Sequence, residues 1–114
     1  MTAPTIEKPA EWFDRVLPET VATEPEKLAG FVGSMRFQIT GEHGGIWTVH
    51  FDKDQVNVTE GEDGEPGFSV KMKDKNFVKM MNGELSGPNA FMTGKLKFKG
   101  DVSKAIKLRG LLFS

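Results

Sequence analysis

The residues best suited to chemistry in this 114-residue chain are two histidines, and they do not make a site. His43 falls in a glycine-rich turn, and His50 points away from Val49 and Phe51 if its strand alternates. Neither has a second histidine or a carboxylate at a ligand-like spacing. The stretch "DKDQVNVTE", residues 52–60, has the carboxylate density of a calcium loop. It lacks the central glycine, and Val56 stands where an oxygen ligand is required. The carboxylates of "EGEDGEPG" read as a solvated loop. Serines 34, 69, 86, 103 and 114 have no His and Asp beside them in sequence. No nucleophile elbow, Walker loop or dinucleotide fingerprint is present. With no cysteine in the chain, disulfides and thiol chemistry are excluded, which fits a reducing cytoplasm. The expectation is a protein that is not an enzyme and uses no metal or cofactor.

Charge offers a second chemistry. Residues 1–65 hold thirteen Asp/Glu against five Lys/Arg, and residues 66–114 hold three against ten. The halves can attract one another within one fold. Alternatively, Lys95, Lys97, Lys99, Lys104, Lys107 and Arg109 form a basic surface for anionic lipid or nucleic acid. In "KLKFK" the alternation sets Leu96 and Phe98 opposite the three lysines, so no aromatic is aimed outward for base stacking and a nucleic-acid role is not expected.

The remaining inventory is apolar: nine Phe, six Met, two Trp and no Tyr. Phe and Met need contact and no hydrogen-bond partner, and the methionine thioether adapts to irregular apolar surfaces. Such a set makes an ordinary core or the lining of an apolar site. Periodicity cannot separate the two.

These residues need elements to position them. Pro9 to Val16 reads as a short helix with Trp12, Phe13 and Val16 on one face, interrupted by Pro18. "TEPEKLAGF" offers a second helix, with Thr23 as cap and Gly30 as stop. From Ser34 the period is two: Met35, Phe37 and Ile39, then Trp47, Val49 and Phe51, then Val56 and Val58, then Phe68, Val70 and Met72. Four consecutive strands are most simply an antiparallel meander with one wet and one buried face. "DKNFVKMMNG" supplies a covering helix capped by Asp74, "GPNAFM" a further short helix, "KLKFK" a fifth strand, and Asp101 caps a last helix. The whole is one α+β domain over 1–114: a five-stranded, largely antiparallel sheet with helices over one face, and residues 1–8 as a flexible tail. No signal peptide or membrane span is read.

Three segments, "FDRVLPETVATEPEKLAG", "RFQITGEHGGIWTVHF" and "FVKMMNGELSGPNAFMTGKLKFKGDVSKAIKL", together resemble the sterol carrier protein family of small lipid-transfer domains. The resemblance covers about residues 12–113. Its most specific piece is "AFMTGKLKFKGD" followed by an amphipathic helix. The chain departs from the family pattern at Asp54-Gln55, where an Asp-Gly turn is common, and at Arg109, where a glutamine is common. The peroxisomal tripeptide is missing, so it looks like the free-standing prokaryotic members.

The resemblance implies an apolar tunnel for a fatty acid, acyl-CoA, sterol or phospholipid. Its lining would be Phe77, Met80, Met81, Leu85, Phe91, Met92, Leu96, Phe98, Ile106, Leu108, Leu112 and Phe113. The charge of the basic group separately suggests that it docks on anionic membrane. A monomer or weak dimer in the cytoplasm is expected. The competing class is an accessory or interaction module that presents apolar substrates to an enzyme or pairs through its apolar face.

Overall fold

The computed structural model describes residues 6–28, 30–62 and 64–107, with backbone alone for Val102 and Ala105. Helices α1 (Pro9–Glu11) and α2 (Leu17–Thr23) are joined by a π-helical turn, Trp12–Val16, into one continuous run. Pro18 therefore does not interrupt the helix. An α-helical path would drive its ring against the carbonyl of Asp14. The π turn ends at Val16, two residues before the proline, with the Leu17 N–H donating to the Trp12 carbonyl five residues back, and so widens the helix where the ring needs room. The expected second helix is only a 3-10 turn, Pro25–Leu28. Thr23 does not cap it, since its hydroxyl donates to the Glu19 carbonyl at 2.9 Å.

The sheet comprises β1 (Val32–Thr40), β2 (Gly45–Asp52), β3 (Gln55–Glu60), β4 (Phe68–Lys73) and β5 (Leu96–Gly100), in the order β3-β2-β1-β4-β5. The alternation holds: Met35, Phe37, Ile39, Val49, Phe51, Phe68, Val70 and Met72 are buried. The meander does not extend to the fourth strand. β4 returns past β2 and pairs parallel with β1, with Phe37 opposite Val70, and β5 pairs antiparallel with β4. The crossing loop lies over the outward face of β1 and β2. There the Thr48 hydroxyl donates to Gly61 O at 2.8 Å, the Arg36 guanidinium donates to Gly64 O, and Gly67 N donates to Ser34 O. The face expected to be wet is thus partly roofed, and Thr48 is fully buried beneath it.

On the other face, α1 through α2 and the covering helix α3 (Asp74–Met81) close the core around five aromatic rings. Phe13 is stacked between Trp47 at 4.6 Å and Phe77 at 5.6 Å, edge-on to Trp12 and Phe37. α4 (Gly87–Met92) lies against β5, and α5 (Val102–Lys107) against β4. Residues 6–8 are not a free tail. Ile6 is 3% exposed, and its N–H and carbonyl both bond the Asn82 side-chain amide at 2.9 Å.

Candidate functional site

The residues expected to face lipid fall into three groups. Phe77, Met80 and Leu96 are buried in the common core, and Met81, Leu85 and Phe98 pack half-buried against it. Phe91, Met92 and Ile106 are exposed, at 59%, 81% and 56%. Leu108, Leu112, Phe113 and Arg109 lie outside the described residues. The exposed group lies on α4 and α5, the helices before and after β5 in the chain, and Val32 at the start of β1 is exposed as well. Phe98 stacks on Phe68 at 5.6 Å, which continues the aromatic layer of the core out to the β5 edge.

Local sequence explains these elements. α4 begins at Ser86, whose hydroxyl oxygen accepts the Asn89 N–H at 3.1 Å, with Pro88 in its first turn. It stops at Gly94, whose φ of 77° an L side chain rarely adopts. Asp101 caps α5 as expected: its carboxylate accepts the Ser103 N–H at 2.9 Å and the Ser103 hydroxyl at 2.7 Å. Those bonds, with the nearby Lys104 and Lys107 charges, hold its pKa below the ordinary 3.8.

Asp74 departs from its expected role as a simple cap. It occupies the first turn of α3 and uses one oxygen on the Lys75 N–H at 2.8 Å. The other accepts the His43 N–H at 2.9 Å, across in the β1–β2 turn. The bond from the His43 backbone is the main reason its pKa is lowered; the Lys75 bond also lowers it, and burial opposes both. Gly41 is required here, because a Cβ on it would overlap the Asp74 carboxylate. This clasp lies in an open groove of about 680 Å³ shared by Glu7, Glu42, Lys73, Lys75, Lys79 and Glu84, a mixed-charge surface. Among the described residues no group of His, Cys, Asp and Glu could hold a metal ion, and no helix is long and apolar enough to cross a membrane.

The basic residues are regrouped. Lys95, Lys97 and Lys99 are exposed at β5, and Lys107 is exposed on α5, whereas Lys104 is half-buried over Gly67. Lys97 sits directly opposite Lys71 in the β4–β5 ladder. Lys71, Lys73, Lys95 and Lys97, with Thr40, Asn76 and Gly94, line a second open groove of about 480 Å³. Lys71 and Lys73 belong to β4, so their partnership with β5 depends on which strand pairs with which.

Comparison with known proteins agrees with this architecture. Residues 13–113 match the SCP-2 sterol transfer family. Non-specific lipid-transfer protein-like 1 of Caenorhabditis elegans is 32% identical over 96 residues, covering 82% of this chain and 81% of its own. Hydroxysteroid dehydrogenase-like protein 2 of Danio rerio is 36% identical over 89 residues, covering 77% of this chain, which corresponds to only 21% of that longer protein. Among solved structures, palmitated SCP2L2 of Aedes aegypti superposes with a TM-score of 0.73 at 20% identity, over 93% of this chain and 95% of its own. The sterol carrier protein domain 2 of Helicoverpa armigera gives 0.74 at 20% identity, over 98% and 91%. With the family pattern running through nearly the whole sequence and the same fold beneath it, the chain belongs to the SCP-2 sterol transfer family.

Proposed function

We propose that this chain is a non-catalytic carrier that binds a fatty acid, acyl-CoA, sterol or related lipid at the β5 edge, between α4 and α5. The observation that carries the reading is the exposure of Phe91 and Met92 side by side on α4, which packs on β5, with Ile106 exposed on the helix that follows that strand. Large apolar side chains left bare together often mark a binding surface. The palmitated state of the Aedes aegypti relative, which shares this fold, supports an acyl guest. Transfer from water to such a site gains about 0.8 kcal/mol per methylene, so a long acyl chain gains on the order of 10 kcal/mol. Relative to a bilayer that gain nearly vanishes, so a carrier matched to the membrane can load and unload with loose specificity. The cysteine-free composition suits action in the cytoplasm.

Binding of a fluorescent fatty acid tests the reading. Phe91→Asp places a charge on the guest's path at a position exposed enough to leave the fold intact, and it should weaken binding at least tenfold. Unchanged affinity would remove Phe91 from the site. Met80→Asp is the poorer probe, because Met80 is buried and a charge there also attacks the core.

A second reading has its own support. The match to about a fifth of hydroxysteroid dehydrogenase-like protein 2 suggests a module that presents apolar substrates to an enzyme or pairs through its apolar face. Native mass spectrometry separates the two: the carrier should emerge as a monomer or weak dimer with lipid attached, the module as a lipid-free oligomer.

A further inference from the structure

We propose that the outward side of β4 and β5 docks on an anionic lipid bilayer, with Lys71, Lys73, Lys95 and Lys97 against the headgroups and the neighbouring Phe91 and Met92 entering the apolar layer. This rests on the carrier reading and deepens it by naming the surface that meets the donor or acceptor membrane. Three observations converge on it.

The first is an unfavourable charge arrangement. Lys71 and Lys97 face one another across the ladder, and like charges directly opposite destabilise a sheet. None of the four lysines has an ion pair to a described residue, and no carboxylate lines their groove. The second is the placement of the acids. Glu42, Asp74 and Glu84 line the neighbouring groove that Lys73 shares, and Glu62 lies 4.0 Å from Arg36 on β1, so none of them lines the groove of Lys71, Lys95 and Lys97. The third is the apolar border. Gly94 lines the lysine groove, and Met92, 81% exposed, stands two residues before it. A basic rim beside bare Phe and Met side chains suits an anionic interface, where charge attracts and apolar groups insert. A nucleic acid would need aromatics on the lysine side. Here Phe68 and Phe98 are on the opposite face, packed on each other.

The test is co-sedimentation with vesicles of phosphatidylserine and phosphatidylcholine in equal parts, and with phosphatidylcholine alone. Each lysine close to an anionic surface is worth a factor of about five in partitioning, so Lys71→Gln with Lys97→Gln should lose about 25-fold. The control pair, Lys27→Gln with Lys53→Gln, removes equal charge near the opposite end of β1 and should stay within about twofold. Raising salt from about 0.05 to about 0.5 M should abolish the preference for phosphatidylserine. Because the Gln pair relieves a repulsion, its Tm should be unchanged or higher. Lys71→Arg with Lys97→Arg, which keeps the charge, should retain binding. Equal losses in both Gln pairs, salt-insensitive binding, loss in the Arg pair, or displacement by inorganic phosphate at matched ionic strength would each overturn the proposal. Fluorescent fatty-acid binding in solution, run in parallel, should be untouched by the Gln pair. Wild-type protein that fails there refutes the carrier reading, and a failure confined to the vesicles refutes the docking surface alone.

Discussion

Replacing Phe13 with alanine should cost the protein much of its stability and none of its intrinsic lipid affinity. The ring is almost wholly buried and stacked on both sides, against Trp47 at 4.6 Å and Phe77 at 5.6 Å. Neither neighbour can collapse into the gap easily, since Trp47 is fixed on β2 and Phe77 on α3. Phe→Ala at such a site costs about 3–5 kcal/mol, the lost transfer energy plus the cavity. A chain of 114 residues unfolds with an entropy of about 0.24 kcal/mol/K, so Tm should fall by about 12–20 °C. Thermal and urea unfolding followed by circular dichroism measure this, with an unchanged urea slope as the sign that compactness is kept. Fatty-acid titration below the new Tm then measures the guest affinity of the folded fraction. A Tm drop under about 5 °C would refute the sandwich as a tightly packed unit. Loss of affinity in folded Phe13→Ala would place the guest against this ring, contrary to a site at the β5 edge.

The clasp at Asp74 predicts a pH dependence. Its pKa is lowered in the folded state, so its contribution is present above the unfolded value near 3.8 and fades as pH falls through the lower folded value. Asp74→Asn should therefore be about 1–2 kcal/mol less stable at pH 7, with the gap closing only below about pH 4; a gap constant down to pH 3 would count against the clasp. Asn82→Ala removes both bonds to Ile6 and should cost about 1–2 kcal/mol, with faster amide exchange at Ile6 than in the wild type. Unaltered exchange there would show that Ile6 is held by packing alone.

Much of this protein could be read from its residues one element at a time. Alternation in Met35-Phe37-Ile39, Trp47-Val49-Phe51 and Phe68-Val70-Met72 determined which face of each strand is buried, because strand side chains alternate whatever the partner. Local chemistry likewise marked the short helix at "GPNAFM" and the start of α5 at Asp101, while the Ser86 cap emerged only in the structure. Phe77, Met80 and Leu96 were legible as apolar and inward, and in the structure all three are buried.

Other features depended on residues far apart in sequence. The parallel return of β4 beside β1 follows from how the crossing loop closes over Thr48 and Arg36, which no window of sequence displays. Pro18 looked like a helix breaker because the π turn that accommodates it has no compositional mark. Ile6 looked like tail because its partner, Asn82, is 76 residues away. Lys97 was legible as the wet side of its strand, and only the pairing of β4 with β5 set its charge opposite that of Lys71. Side-chain direction is local and so was written in the sequence; partnership is long-range, and tertiary structure alone decided it.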